Sequence, residues 1–345
     1  MTAQFTASER TLDSGHQVVE LRHRASGAWA CIVPGLGGNC LQLALPPKPG
    51  ADAIPLIDDL ALIEQLETSP NRYGIPVLFP WPSGIPGGVF RFQDGTINLN
   101  SGDEITTYHH VFVNTASWTV MEVGADDARA WLTAEIKSEQ CGVLAARFGW
   151  PCTLRITWTL LTDRLNIDMT VTNRGDSAMP MGLGLHPYFS LPFGSRGSRA
   201  ECRLKADVGR QWDLGATCEL SPADAAPADP FLPECTFPAG AVMGGALHEI
   251  AFNHVYQARF KDGQQTLAAV IDPANGIRLT VRGSRDFGTW VFYTPPDRDA
   301  ISLEPWTLAA NGFNLAAAGI EEAGLVTLAP GASWTGNVTI QCEEI

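Results

Sequence analysis

The sequence predicts an all-β protein, a large antiparallel β-sandwich, and three observations carry that expectation. Period-two alternation of apolar and polar residues recurs along the 345 residues, charged residues make up only 17%, and turn formers abound, with 34 Gly and 24 Pro. Alternation puts one face of a strand in a core and the other in water. Helix-rich proteins need Glu, Lys and Arg on their wet faces, whereas a charged share below the usual quarter suits a surface of Thr, Ser, Asn and Gly. A chain of this length buries a core without disulfide or metal staples, and 45% apolar residues is a globular composition.

Taken in order, the elements follow from the pattern. The uncharged run 25–47 is long enough to span a bilayer, but Pro34, Gly35, Gly37, Gly38, Asn39 and Gln42 break its middle, so no membrane segment is predicted. Residues 57–67 place Leu60, Ile63, Glu64 and Glu67 at helical spacings and form the one helix candidate. Residues 89–93 and 96–99 flank Asp94-Gly95, a dipeptide suited to a two-residue hairpin turn. Strand-like runs follow at 117–123 and 130–136. In 153–160, Leu154, Ile156, Trp158 and Leu160 share one face, and Leu165, Ile167, Met169 and Val171 repeat the pattern after Thr162-Asp163-Arg164, which predicts a second hairpin. Further strands are expected at 278–282, 289–293 and 334–342, and the Pro- and Ala-rich stretch 221–244 reads as a loop. Composition does not change across that loop and no repeat is found, so residues 1–345 read as one domain.

The charge balance, 23 Lys and Arg against 37 Asp and Glu, gives a net charge of −14. Such a field repels nucleic acid and anionic lipid, so neither is an expected partner, although a few local cations can still hold a small phosphorylated ligand. The N-terminal residues lack a basic segment and an apolar segment, which predicts a cytoplasmic protein without a secretory signal. The 8 cysteines contain no C-x-x-C pair and read as buried free thiols, with no metal site. Nucleotide-loop, zinc-protease and esterase motifs are absent. Of the 7 histidines, His109, His110, His186 and His254 lie in or beside strand patterns.

Two segments stand out. In Gly182-Leu183-Gly184-Leu185-His186-Pro187-Tyr188-Phe189, glycines permit close backbone approach and a histidine is pinned by the following proline among aromatics. In Ile301-Ser302-Leu303-Glu304-Pro305-Trp306-Thr307 an apolar strand ends on a carboxylate beside an indole, where charge is costly unless it is paired or used. Each residue alone also fits a plainer reading, a satisfied core histidine or an edge glutamate reached by solvent.

With their flanks, these segments resemble the aldose 1-epimerase (galactose mutarotase-like) family. Val171-Thr172-Asn173 followed by His186, Tyr188 and Phe189 is similar to the family's strand and H-x-Y-F segment. Glu304-Pro305-Trp306-Thr307, Phe313-Asn314-Leu315 and Pro330-Gly331 are similar to its C-terminal signature. Tyr73-Gly74-Ile75-Pro76-Val77-Leu78-Phe79-Pro80 resembles a G-I-P-x-x-F-P segment of bacterial and sugar-phosphate branches. The resemblance runs from about Val18 to Gln341 and implies a galactose mutarotase-like supersandwich, an isomerase of carbohydrate metabolism, a small-molecule sugar as substrate and no cofactor.

The same resemblance implies roles. Glu304 would be the base that removes the C1 hydroxyl proton and His186 the acid that protonates the ring oxygen. His110, eight residues before Trp118, resembles a second histidine that contacts the sugar, with Val111 where a glycine is usual and His109 as the alternative in a shifted register. Asn253 stands where many members carry a sugar-binding aspartate, and Ser83-Gly84 where they carry an Asn-Arg pair. Arg72 resembles the phosphate-contacting arginine of hexose-6-phosphate epimerases, while Trp306 and Tyr188 are candidates to stack on a pyranose face. Three readings stay open: an aldose 1-epimerase of a neutral sugar, a hexose-6-phosphate 1-epimerase, and a non-catalytic carbohydrate-binding sandwich.

Overall fold

The computed structural model describes residues 4–100, 110, 112–212, 231–232, 242–243, 252–260 and 265–345. Among these residues, the strands form five sheets in which every pairing is antiparallel, as the alternation predicts. An N-terminal meander of five strands, Phe5–Thr11, Gln17–His23, Trp29–Val33, Asn39–Leu45 and Ile54–Asp58, occupies one sheet. The apolar run at 25–47 therefore becomes two buried strands joined by a turn, because its central glycines and Pro34 fold the chain back. No helix among the described residues is long and apolar enough to cross a membrane.

Two large sheets carry the sandwich. The nine-stranded sheet is centred on Ile277–Ser284, Ser333–Glu344, Arg164–Asn173 and Cys152–Leu160, hydrogen-bonded in that order. Its inward residues alternate as read from the sequence: Leu154, Ile156, Trp158 and Leu160 are buried, and they face Val171, Met169, Ile167 and Leu165 across the hairpin. The eight-stranded sheet contains Asn253–Ala258, Thr289–Tyr293, Ala300–Trp306, Gly184–Leu185 and Val77–Leu78, again in spatial order, with Tyr188–Ser190 pairing beside Gly184–Leu185. One continuous apolar core joins both sheets, from Leu132 and Val338 on one side to Phe292 and Leu303 on the other.

Four expectations are corrected. The helix candidate 57–67 is a 3-10 helix over Leu60–Glu67 only, and Ile57 belongs to the strand Ile54–Asp58, where it is buried opposite Leu43. The hairpin at 89–99 turns on Gln93-Asp94, not Asp94-Gly95, with Gln93 at φ +51°. Phe92 pairs with Gly95 there, a register that keeps Phe90 wholly buried opposite Ile97. Two short helices, Gly142–Arg147 and Gly312–Ala317, were not expected, since one to two turns leave too few positions for a period to show. Cys31, Cys40, Cys141, Cys152, Cys202 and Cys342 are buried free thiols, whereas Cys218 and Cys235 lie outside the described residues; so does most of 221–244, but its described residues Phe231–Leu232 and Val242–Met243 are paired strands and not the expected loop.

Candidate active site

Strand register builds the floor of a cavity on the eight-stranded sheet. Residues two apart on a strand share a face, and residues directly opposite on antiparallel neighbours share it too. Asn253 lies opposite Tyr293, Tyr293 opposite Ser302, and Ser302 opposite Tyr188, so these four form one row across the sheet. The next row is Val255, Val291 and Glu304. Ile301 and Leu303, on the alternate face of the same strand, go into the main core. A strand whose seven residues are all buried thus serves the core with one face and the site with the other.

The wall is made by segments from the first half of the chain. Asn71, Arg72, Ser83 and His110 join His186, Tyr188, Tyr293, Glu304 and Trp306 around a cavity of about 320 Å³. That is the lower end of the range for small-molecule pockets and suits a single sugar ring. Tyr188 and His186 arrive there because their backbone N–H groups donate to the carbonyls of Gly74 and Pro76. Gly184 is required for close approach: a Cβ on it would collide with the Trp306 indole that forms one side of the cavity. Gly74, at φ +71°, likewise leaves no room for a Cβ against Asn39 and the Cys40 carbonyl.

All seven candidate residues from the sequence, Glu304, His186, His110, Asn253, Arg72, Trp306 and Tyr188, line this one cavity. Glu304 is 1% exposed and His186 is 6% exposed. His186 Nε2 lies 3.3 Å from Glu304 Oε1 and 3.3 Å from the Tyr188 hydroxyl, and the Tyr188 ring stacks on the imidazole at 4.6 Å. Burial pushes the Glu304 carboxyl well above the usual carboxylate range. The Ser302 hydroxyl and the Trp306 indole N–H oppose that rise without offsetting it, and neither carboxyl oxygen completes a hydrogen bond of normal geometry. Burial, reinforced by the Glu304 charge, also pushes the Tyr188 phenol up, so it stays protonated.

His110 sits opposite, its ring edge-on to His186 at 5.5 Å and to Trp306 at 5.7 Å. Its Nδ1 accepts the Ser83 backbone N–H at 3.0 Å, which places the proton of the neutral ring on Nε2. Asn71 and Asn114 donate to its carbonyl at 3.2 and 2.6 Å, holding it at φ +46°. His109 and Val111 lie outside the described residues. Arg72 is at the cavity lip, half-exposed, with its guanidinium 2.6 Å from Asp297. Behind it, Arg298 lies between the rings of Tyr73 and Tyr188, at 4.7 and 4.5 Å, and reaches Asp59 at 3.5 Å. His254 is not a cavity residue; it is half-buried beside Phe252 and Tyr256. Asn71, Tyr293 and Ser302 are cavity or supporting residues that sequence reading missed. Only Ser302 carried a signal, being two residues before Glu304 on a strand and so on its face. Among the described residues no cluster of His, Cys, Asp and Glu could hold a metal ion.

The fold is a galactose mutarotase-like sandwich, and comparison with known proteins gives its family. The sequence matches the aldose 1-epimerase family over residues 19–341, and the chain belongs to that family. It is 26% identical over 193 residues to the uncharacterized protein YphB of Escherichia coli strain K12, a match spanning 53% of this chain and 58% of that protein. A galactose mutarotase-like protein from Clostridium acetobutylicum superposes with a TM-score of 0.79 at 22% identity, covering 99% of both chains. The galactose 1-epimerase of Lactobacillus acidophilus NCFM superposes with a TM-score of 0.69 at 16% identity, covering 99% of this chain and 98% of that one.

Proposed function

We propose that this protein interconverts the α and β anomers of a free aldose by acid-base ring opening, with Glu304 and His186 as the proton-exchanging pair. The observation that carries the reading is a fully buried carboxyl group without a hydrogen bond of normal geometry, 3.3 Å from an imidazole, in a cavity the size of one sugar ring. Such a carboxylate is costly to a fold, and a substrate hydroxyl is the partner that offsets the cost.

Glu304 takes the proton of the C1 hydroxyl while His186 protonates the ring oxygen, the C1–ring-oxygen bond breaks, and rotation about C1–C2 precedes closure on the other face. His110 offers its Nε2–H to the sugar from the opposite wall, Asn253 and Tyr293 contact hydroxyls along the first row, and Trp306 and Tyr188 flank the ring. The residues need no cofactor for this chemistry. A neutral sugar is favoured because the charge of Arg72 is already met by Asp297. A 6-phosphorylated aldose remains the second reading, since Arg72 lines the cavity and a phosphate would compete for it. Polarimetry on fresh solutions of glucose, galactose and glucose 6-phosphate separates these. The expected result is acceleration on a neutral sugar that survives Arg72→Ala. A preference for the phosphate, lost in Arg72→Ala, would establish the second reading. Saturable sugar binding without any acceleration would leave only a carbohydrate-binding sandwich.

A further inference from the structure

His186 has two ring nitrogens, and the surroundings of Ser302 distinguish them. Ser302 is wholly buried, two residues before Glu304 on the strand Ala300–Trp306, and so on the same face. Its Oγ lies 2.8 Å from His186 Nδ1 and 2.9 Å from the Pro187 carbonyl oxygen. A carbonyl can only accept, and a serine hydroxyl has one proton to give. These contacts are satisfied together when Ser302 donates to Pro187 and accepts from Nδ1–H, and a hydroxyl turned instead toward the Glu304 carboxyl, whose rise Ser302 opposes, still accepts from Nδ1–H. The reverse arrangement leaves the buried Pro187 oxygen facing a hydroxyl lone pair, which is costly.

We propose that Ser302 is a positioning residue that pins the Nδ1–H tautomer of His186, leaving Nε2 as the nitrogen that exchanges a proton with the sugar. The inference rests on the reading of His186 as one of the proton-exchanging pair. Nε2 is the nitrogen 3.3 Å from Glu304 Oε1, so the pair shares one mobile proton, held on Nε2 or on Glu304. In ring opening, the C1 hydroxyl proton passes to Glu304, and the electron pair of that O–H becomes the new carbonyl bond. The C1–ring-oxygen pair stays on the ring oxygen, which takes the proton from Nε2. Closure on the other face runs the same transfers backwards through the same nitrogen, so the pair ends as it began and no other reactant is consumed. A ring free to hold its proton on either nitrogen would present the wrong one part of the time.

Long-range proton–nitrogen correlation spectra of the full chain labelled with ¹⁵N-histidine test this, with the His186 signals assigned by their loss in His186→Gln. At about pH 8, wild-type His186 is expected to carry a proton on Nδ1, whether the shared proton sits on Nε2 or on Glu304. In Ser302→Ala the spectrum is expected to move toward the Nε2–H tautomer, with kcat for mutarotation down at least about tenfold, part of what the imidazole itself contributes, and KM little changed. A wild-type His186 protonated only on Nε2 would overturn the proposal, as would Ser302→Ala with full kcat. The wild-type spectrum decides even if Ser302→Ala fails to fold. If His186→Gln and Glu304→Gln keep full activity, the acid-base reading has failed; if they lose it while the tautomer is Nε2–H, only the role of Ser302 has.

Discussion

Glu304→Gln should silence the protein and stabilise it at the same time. Glutamine has the same shape and keeps an oxygen in the cavity, but it cannot take a proton from a C1 hydroxyl. A positioned proton-transfer group contributes about 10²–10⁴ in rate, so the variant is expected to lose about 2.7–5.4 kcal/mol of transition-state stabilisation. The stability change follows from burial. Both carboxyl oxygens are buried without a hydrogen bond of normal geometry, and burial raises the carboxyl above its ordinary range. The folded chain therefore holds a proton that the unfolded chain releases. Below the ordinary carboxylate range both states are protonated and Glu304 costs little. As pH rises through that range the wild type loses stability, and the loss is complete only above the raised folded value. Glutamine carries no charge and removes that loss, which is about 1.4 kcal/mol for each pH unit between the unfolded and the raised folded value, or roughly 2 °C in Tm for each such unit in a chain of 345 residues. Scanning calorimetry at one scan rate should show the variant melting near the wild type at about pH 4 and clearly above it at about pH 8. A variant with the wild-type rate, or one that melts lower than wild type at the higher pH, would refute the reasoning.

Gly184→Ala pushes a methyl group into the Trp306 indole, and overpacking of this kind costs about 1–3 kcal/mol; thermal denaturation should show the loss, with KM for the sugar raised because the displaced ring borders the cavity. Arg72→Ala removes an ion pair between two half-exposed side chains, so its cost should stay within about 1 kcal/mol by urea denaturation, with kcat on a neutral sugar near the wild-type value. Burial pushes the thiols of Cys31, Cys152, Cys202 and Cys342 up to about 12, and Cys40 and Cys141 are raised as well. Of the 8 cysteines, titration with a coloured disulfide reagent should find at most Cys218 and Cys235 reactive in the native protein, and all 8 after denaturation.

The sandwich was legible because most strands have one buried and one wet face. The hairpin of Cys152–Leu160 with Arg164–Asn173 shows it, its apolar positions all falling on the core side. Alternation failed where both faces are buried: Ala300–Trp306 has no exposed residue, so it was found through its carboxylate and indole, not through its period. Glu304 and His186 stood out because a charge and an imidazole among apolar residues are unusual. Tyr293 and Ser302 did not, because their importance lies in facing each other and Tyr188 across three strands. One sequence does not display that register. Asn71 was hidden for a similar reason, since it acts by holding the His110 carbonyl from 39 residues away. The shifted turn at Gln93-Asp94 shows the burial of Phe90 prevailing over a local Asp-Gly preference.

The most direct test of the account is anomer exchange measured by NMR saturation transfer on a neutral aldose at equilibrium, with wild type, Glu304→Gln and His186→Ala compared at equal concentration and below their melting temperatures. The account predicts transfer between the α and β C1 proton signals well above buffer for the wild type, and near-buffer rates for both variants. A wild type that is folded, binds the sugar and exchanges its anomers no faster than buffer would contradict it.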